Sequence, residues 1–557
     1  MRLRFFFVAL FFLTYLVYFS SFFNPFIWDD EQFIYKNVHV IEFNLREIFT
    51  KNTIDGAGIM SNYYRPLTTL SFALDAAVWK SNTLGFHLTN TFFHAATAIL
   101  IMFSVYLLTK RKWTSFWIAL IFALHPLQTE AVTYINSRGD SLSAFFGLLS
   151  SICVVLYSKK KTIAFSLYNI QHTFSARWFF MGSLLLYAAS ILSKEIGIAT
   201  IALSASFILK EIIDWMRAHK KTSVKNILTT FSPQFMLLAV LSFIALGYLL
   251  LRATTLNFNN SFNFYADASQ YSESLSVRLA TFSKVLWIYW KLLIVPHPLH
   301  MERSSEIITS LISFWPILTG IILLTLMGVA LYQLIKKHNS IYLVSCIWFF
   351  SLLLPVSGII PINGILYEHW LYLPSVGFFL FFAELLHALA QKVTWLKSKK
   401  TIQITMILLC SSYAILTIRQ NYLWADEIRF YEYTLHYARS LRLYNNLGMT
   451  YADRKKYDQA LAAYSQALTF GIPHPSLYHN MANTFVSQQK LKEAQEYYEK
   501  AITSEPKFFH SYVPLLSLYL LNKDTMAANK LREQAHLNFS DPQFLKSIDS
   551  LVDTTVQ

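Results

Sequence analysis

From Phe5–Phe23 to about residue 418, the chain is built of long apolar runs separated by short polar segments. Runs of this length read as helices that cross a membrane, because roughly 20 apolar residues span the hydrocarbon core. Composition agrees. Mean hydropathy is +0.38, 54% of residues are hydrophobic, 17% are aromatic and only 14% are charged. A soluble domain would carry about 25% charged residues, so a polytopic membrane domain is predicted. The formal charge of +15 does not point to nucleic acid, because the basic residues sit in clusters between apolar runs, as the positive-inside rule requires. Cys153, Cys346 and Cys410 lie inside apolar stretches without metal-ligand spacing and read as small core hydrophobes.

The basic clusters predict the topology. Arg2 and Arg4 place the N-terminus in the cytoplasm. Phe5–Phe23 lacks a small-x-small cleavage site and reads as a retained span. A long external loop, 24–84, follows. Further cytoplasmic clusters are Lys110-Arg111-Lys112, Lys159-Lys160-Lys161, the segment from Lys210 to Lys225, Lys336-Lys337 and Lys397-Ser398-Lys399-Lys400. Spans near 86–108, 113–127, 141–157, 178–193, 196–212, 232–252, 308–335, 341–357, 370–390 and 402–418 join the first to give about eleven crossings. An odd count leaves the C-terminus outside. Thr281–Val295 is apolar but short, with Lys284, Tyr289, Trp290 and Lys291 suited to headgroup level, and is expected to be re-entrant or interfacial, with a twelfth span as the alternative.

Beyond Arg419 a self-similar pattern appears at a period of 34. Tyr444, Tyr478 and Tyr512 mark it. In register stand Leu447-Gly448, Met481-Ala482 and Leu515-Leu516, then Ala460, Ala494 and Ala528, and then Ala467, Ala501 and Ala535, with Pro506 closing the second copy. This is the tetratricopeptide pattern, in which small residues let paired helices approach and aromatics fill the space between neighbours. Repeats are expected near 441–474, 475–508 and 509–540. The third is degenerate, with Leu516 at a small position and Arg532 at an aromatic one. The predicted fold is thus all-α: a membrane helical domain over 1–420, then a soluble tetratricopeptide α-solenoid over 421–540.

The first candidate chemistry is Trp28-Asp29-Asp30-Glu31, directly after the first span. Carboxylates at a membrane boundary are costly unless they line a polar cavity. Neighbouring carboxylates raise one another's pKa, which suits a general base, and an Asp-Asp pair can equally bind a divalent ion through oxygen. His87 and His94 lie seven residues apart on one helical face; with no third ligand nearby they read as packed, hydrogen-bonded histidines, and no metal is assigned.

The architecture and several blocks together resemble the transmembrane and tetratricopeptide-repeat-containing O-mannosyltransferases and their shorter bacterial relatives, of the GT-C glycosyltransferase fold. The blocks are Trp28-Asp29-Asp30, Tyr64-Arg65-Pro66-Leu67, Gly85-Phe86-His87-Leu88-Thr89-Asn90 with His94-Ala95, His125-Pro126, Thr129-Glu130-Ala131-Val132, Arg138-Gly139-Asp140, Ser193-Lys194-Glu195 and Glu368-His369-Trp370-Leu371-Tyr372-Leu373-Pro374-Ser375. The chain departs from the animal members in carrying three repeats and in His369, where those members usually place Arg. The resemblance implies transfer of a hexose, mannose above all, from a polyprenyl-phosphate donor to a Ser or Thr hydroxyl of a protein. It also implies work without a metal cofactor, although the residues alone leave a divalent cation open. The short repeat region points to a bacterial inner membrane with periplasmic repeats rather than an endoplasmic-reticulum membrane.

Such transfer needs a base for the acceptor proton and cations for the leaving phosphate. Asp29 or Asp30 is the expected base. The expected phosphate ligands are Arg138, Arg65, His369 and Lys194, supported by Glu368, Glu130 and Asp140. Arg138 leads because its planar fork makes bidentate bonds to phosphate and Gly139 beside it permits close backbone approach to a ligand. The plainer alternatives are an Arg138–Asp140 or Arg138–Glu130 ion pair and a mutual Lys194–Glu195 pair. His369 would serve as a cation only if Glu368 raised its pKa. On the repeats, Asn445, Asn446, His479 and Asn480 are expected to contact the acceptor. A transporter would carry ionisable residues near the middle of its spans, whereas these gather at their ends. A non-catalytic scaffold recruiting partners through the repeats is the remaining alternative; it would not need carboxylates and cations converging on one face.

Overall fold

The computed structural model describes residues 3–556 apart from 159–162, 168–169, 220–222, 257–270, 272–273, 304, 361, 363, 393–397 and 472–473. The Lys159–Lys161 cluster, Arg2, Lys220, Lys221 and Lys397 lie outside the described residues. The chain forms two compact units, Met1–Ala425 and Asp426–Gln557. Among the described residues both are helical, save for an antiparallel hairpin pairing Ile163–Leu167 with Ile170–Phe174.

Among the described residues of the first unit, eight helices are long and apolar enough to cross a membrane: Arg4–Phe23, Thr83–Thr109, Ile135–Ser158, Ala176–Ser193, Glu195–Ala218, Ser232–Ala253, Phe314–Lys336 and Lys399–Leu423. Three shorter apolar helices, Lys112–Leu124, Ile341–Val356 and Pro374–Ala390, accompany them. Local chemistry sets their ends. Asn82 caps the Thr83–Thr109 helix by accepting from Leu84 N, and Ser398 caps Lys399–Leu423 by accepting from Thr401 N. His125-Pro126 stops the Lys112–Leu124 helix, since proline has no N–H to continue the ladder, and His125 Nδ1 accepts from Leu127 N instead. A continuous core runs through the unit, with Trp348, Phe122, Leu148 and Tyr289 fully buried.

Two sequence expectations change. The segment 281–295 is not a short piece but part of a 20-residue helix, Leu275–Ile294, capped by Ser274. Arg278 near its start donates to Gly358 O at 2.5 Å, and the Tyr413 hydroxyl donates to Ile294 O at its end. The loop after Phe23 is itself folded: short helices at Val38–Ile41 and Leu45–Thr50 and a longer one at Pro66–Trp79 enclose a small core of Phe33, Ile34, Val40, Ile48, Ile54 and Phe72. Pro66 at the first helical position needs no N–H partner, and Arg65 before it caps the helix in a non-helical conformation.

In the second unit the repeat pattern becomes paired helices, Leu441–Asp453 with Tyr457–Ala467, Pro475–Ser487 with Leu491–Ser504, and Tyr512–Leu521 with Thr525–Asn538. A Cβ at Gly448 would stand 2.3 Å from the Tyr464 ring, which is why a small residue is required there. Ala460, Ala467, Ala482, Ala494, Ala501, Ala528 and Ala535 are fully buried. In the degenerate third repeat Leu531, not Arg532, enters the core, and Arg532 pairs at 3.4 Å with Asp553 of a closing helix, Pro542–Val556. That helix buries Ile548 and Val552 against the last repeat, covering a face that stacking would leave open.

Candidate functional site

The segment Asn136-Ser137-Arg138-Gly139-Asp140, at the start of the Arg138–Ser158 helix, joins three parts of the first unit. Asn136 N donates to Asp30 Oδ1 at 2.8 Å, which ties the acidic loop to this turn. Asp140 Oδ2 meets Lys194 Nζ at 2.6 Å, which ties the turn to the corner between two spans. Between them, Gly139 lies against that corner so closely that a Cβ would stand 3.2 Å from Ser193 O and 3.5 Å from the Lys194 side chain. Glycine therefore serves close helix packing here, in place of the ligand approach expected from sequence.

Arg138 is the keystone of this joint and is fully buried. Its Nε donates to Asn90 Oδ1 at 2.5 Å, Nη1 to Ser71 O and Oγ at 3.1 and 3.2 Å, and Nη2 to Phe86 O at 3.0 Å. Nη2 also pairs with Asp75 Oδ2 at 2.6 Å, and the guanidinium lies 4.6 Å from the Phe72 ring centre. With its fork filled by protein, Arg138 is not a phosphate ligand. Its partner is Asp75, neither Asp140 nor Glu130.

The adjacent carboxylates separate in role. Asp30 is buried, and Oδ2 accepts from Ile27 N at 3.0 Å while Oδ1 is held by Asn136 N. Burial, with the neighbouring Asp29 charge, pushes its pKa up to about 8 against the pull of those two N–H groups. Asp29 is partly exposed. Its backbone carbonyl starts the following turn by accepting from Gln32 N and Phe33 N, and Trp28 before it takes φ of +63°, a strained left-handed conformation for a bulky residue. Among the described residues no group of three His, Cys, Asp or Glu is placed to hold a metal.

Alongside lies a band of ion pairs. Arg65 Nε bonds Glu195 Oε2 at 3.0 Å, and Arg252 Nη1 approaches Glu195 Oε1 at 3.6 Å. The expected mutual pair of Lys194 with Glu195 is absent: Lys194 turns to Asp140 and Glu195 to the two arginines. Sequence reading missed Arg252, which ends a long apolar helix and looked like a boundary charge.

Glu130 and Glu368 continue the band. Glu130 Oε2 accepts from Glu368 N at 3.0 Å and His369 N at 3.2 Å, and its Oε1 meets His369 Nδ1 at 2.7 Å. Glu368 in turn accepts from His300 N at 2.9 Å and Arg303 Nε at 2.8 Å. Burial raises both carboxyl groups above the ordinary range. It lowers His369 to about 3, helped by Lys194. The expectation that Glu368 makes His369 a cation fails, because Glu368 faces Arg303 and burial favours the neutral ring. Arg303 was also missed; it lies outside every motif, in the loop after Leu275–Ile294.

The other expected residues divide as follows. His87 Nε2 bonds Asn24 O at 3.1 Å, and His94 bonds the Tyr372 hydroxyl at 2.8 Å and Ala123 O at 3.1 Å. On the repeats, Asn480 Nδ2 donates to Asn445 Oδ1 at 3.0 Å and His479 Nδ1 meets Ser511 Oγ at 3.0 Å, so three of the four expected acceptor contacts link neighbouring repeats. Asn445, Asn446, His479 and Asn480 are all partly exposed. A cleft of about 280 Å³ at the opposite end of the first unit, lined by Arg111, Lys210, Asp214, His338 and Glu384, holds none of the site residues.

Residues 439–504 match the tetratricopeptide repeat family model. The chain is similar to protein O-mannosyl-transferase TMTC2 of Homo sapiens, with 28% identity over 486 residues, covering 73% of this chain and 55% of the relative. It is similar to protein O-mannosyl-transferase F38B6.6 of Caenorhabditis elegans, with 27% identity, covering 82% of this chain and 61% of the relative. For protein O-mannosyl-transferase TMTC3 of Mus musculus the identity is 23%, covering 81% of this chain and 49% of the relative. The chain thus spans about half the length of the curated relatives it matches.

Proposed function

We propose that the chain is a membrane glycosyltransferase that moves a hexose, mannose in the first instance, from a polyprenyl-phosphate donor to a Ser or Thr hydroxyl of a protein. Asp29 takes the acceptor proton as the hydroxyl oxygen attacks the anomeric carbon. The bond from that carbon to the phosphate oxygen breaks, and the phosphate leaves with an additional negative charge. Asp30 fixes the loop through Ile27 N and Asn136 N, and the partly exposed Asp29 beside it is the proposed base. No second carboxylate is assigned as a nucleophile, so direct displacement with inversion follows. No metal is assigned a step.

The observation that carries this reading is a band of buried and partly buried cations around Glu195, Asp140 and Glu368, next to the Asn136 turn that holds the acidic loop. Arg65, Arg252, Lys194 and Arg303 converge there from separate segments, each already braced by a carboxylate. Fixed cations stabilise developing phosphate charge without reorganising at the moment of reaction. With Arg138 removed from the list, Arg65 and Lys194 remain the expected ligands and Arg252 and Arg303 join them. The repeats are proposed to select the acceptor, raising its effective concentration at the site. The membrane is proposed to be a bacterial inner membrane.

The test is single-turnover transfer with polyprenyl-phosphate mannose and a Ser/Thr peptide. Asp29→Asn should slow transfer by about 10²–10⁴ with donor binding retained. Unchanged transfer, or retained anomeric configuration in the product, would overturn the assignment.

A further inference from the structure

His369 offers one ring nitrogen to the protein and one to the site. Burial raises the Glu130 carboxyl to about 7 against the pull of the two backbone N–H groups on Oε2, so above that pH it is ionised and can only accept. With Glu130 ionised, Nδ1, 2.7 Å from its Oε1, carries the ring proton. That leaves a lone pair on Nε2. Tyr367 stacks on the ring at 5.3 Å and 22°, fixing its plane. Among the described residues no protein group hydrogen-bonds Nε2, and the side chain is 13% exposed. The ring also feels the charges of Lys194, Asp140 and Arg65, the first and last of which are the proposed phosphate ligands.

We infer that His369 Nε2 accepts a hydrogen bond from a hydroxyl of the transferred sugar and so selects the donor. This rests on the glycosyl-transfer reading and adds the contact that reads the sugar. A phosphate diester oxygen has no proton to give to a lone pair, whereas a sugar hydroxyl does. A phosphate lying against Arg65 and Lys194 carries two groups, the polyprenyl chain and the sugar, and only the sugar has hydroxyls to donate. Those two cations also disfavour a proton on the ring, which keeps Nε2 an acceptor. Arginine or lysine at this position could only donate, so histidine changes what the site recognises rather than how strongly it holds phosphate. His369 is thereby a specificity-determining residue, and Glu130 is its positioning residue.

The test uses the purified full chain, a Ser/Thr peptide, polyprenyl-phosphate mannose, and its deoxy analogues with one hydroxyl removed at a time. Wild type should use one analogue about tenfold less well than the parent in kcat/KM, the range expected for losing one hydrogen bond in a built site. His369→Leu should erase that penalty, His369→Arg should erase it too, and His369→Gln, whose carbonyl can accept, should keep part of it. The Gln and Arg variants keep a polar side chain of comparable reach and carry the comparison should His369→Leu fold poorly. The same deoxy profile in wild type, His369→Leu and His369→Arg would overturn the inference while leaving glycosyl transfer standing. No transfer from any donor by wild type would instead remove the reading beneath it.

Discussion

Replacing Arg138 separates a buried brace from a phosphate ligand. Arg138→Met removes a fully buried guanidinium, leaving Asp75 without its 2.6 Å partner and stripping donors from Asn90 Oδ1, Ser71 O and Phe86 O. Breaking a buried pair in this way costs about 3–5 kcal/mol, because one charge is left uncompensated. Among the described residues Asp75 then keeps only the Thr89 hydroxyl, at 2.9 Å. Removing the stranded charge as well, in Asp75→Asn with Arg138→Met, should recover about 1–3 kcal/mol, a coupling that a double-mutant cycle reads directly. Arg138→Lys should fall between, since an ammonium keeps the charge but cannot fill the fork. The assay is thermal unfolding in detergent with the yield of monodisperse protein, measured beside donor use. A phosphate ligand would behave oppositely. Arg138→Met with wild-type stability and a raised donor KM would refute the brace.

Asp30→Asn should destabilise by about 1–3 kcal/mol, since an amide offers one acceptor oxygen where two backbone N–H groups need one each; unaltered melting would show that the tie to Asn136 is dispensable. The sign of the Asp30 pH effect follows from its raised pKa. Its contribution is full below the unfolded carboxyl value near pH 4 and is lost as pH rises through about 8. Melting temperature should therefore fall over that window in wild type and fall less in Asp30→Asn, and parallel profiles would exclude Asp30 as the titrating group. Gly448→Val should loosen the repeat unit, because its Cβ meets the Tyr464 ring; faster limited proteolysis after Asp426 reports it, and an unchanged rate would contradict the packing. Arg303→Gln should lower the turnover of bound donor, and full activity in a folded variant would remove it from the phosphate band.

Helical architecture and repeats were legible because they rest on periodic signals. Apolar runs fix membrane helices, and small residues at a spacing of 34 fix helix pairs whatever surrounds them. Cation partners were not legible, because they depend on which helix ends meet in space. Arg138 and Asp75 are 63 positions apart, and Arg303 and Glu368 are 65 apart. Asp140 and Lys194 were both singled out, yet their pairing waited on the close approach allowed by Gly139. The Asp29-Asp30 pair was found as a unit, and only the folded turn around Asn136 separates the buried residue from the partly exposed one. Arg252 and Arg303 carried no motif, so position in space was their only signal.

Hexosyl transfer with Asp29 as base is read most directly by comparative glycoproteomics of membrane-facing and exported proteins. Cells would carry the wild-type chain, no chain, or the Asp29→Asn chain at matched membrane abundance. A single hexose is expected on defined Ser/Thr peptides in wild-type cells, lost in both of the others. The same hexosylated peptides at the same occupancy in all three would contradict it.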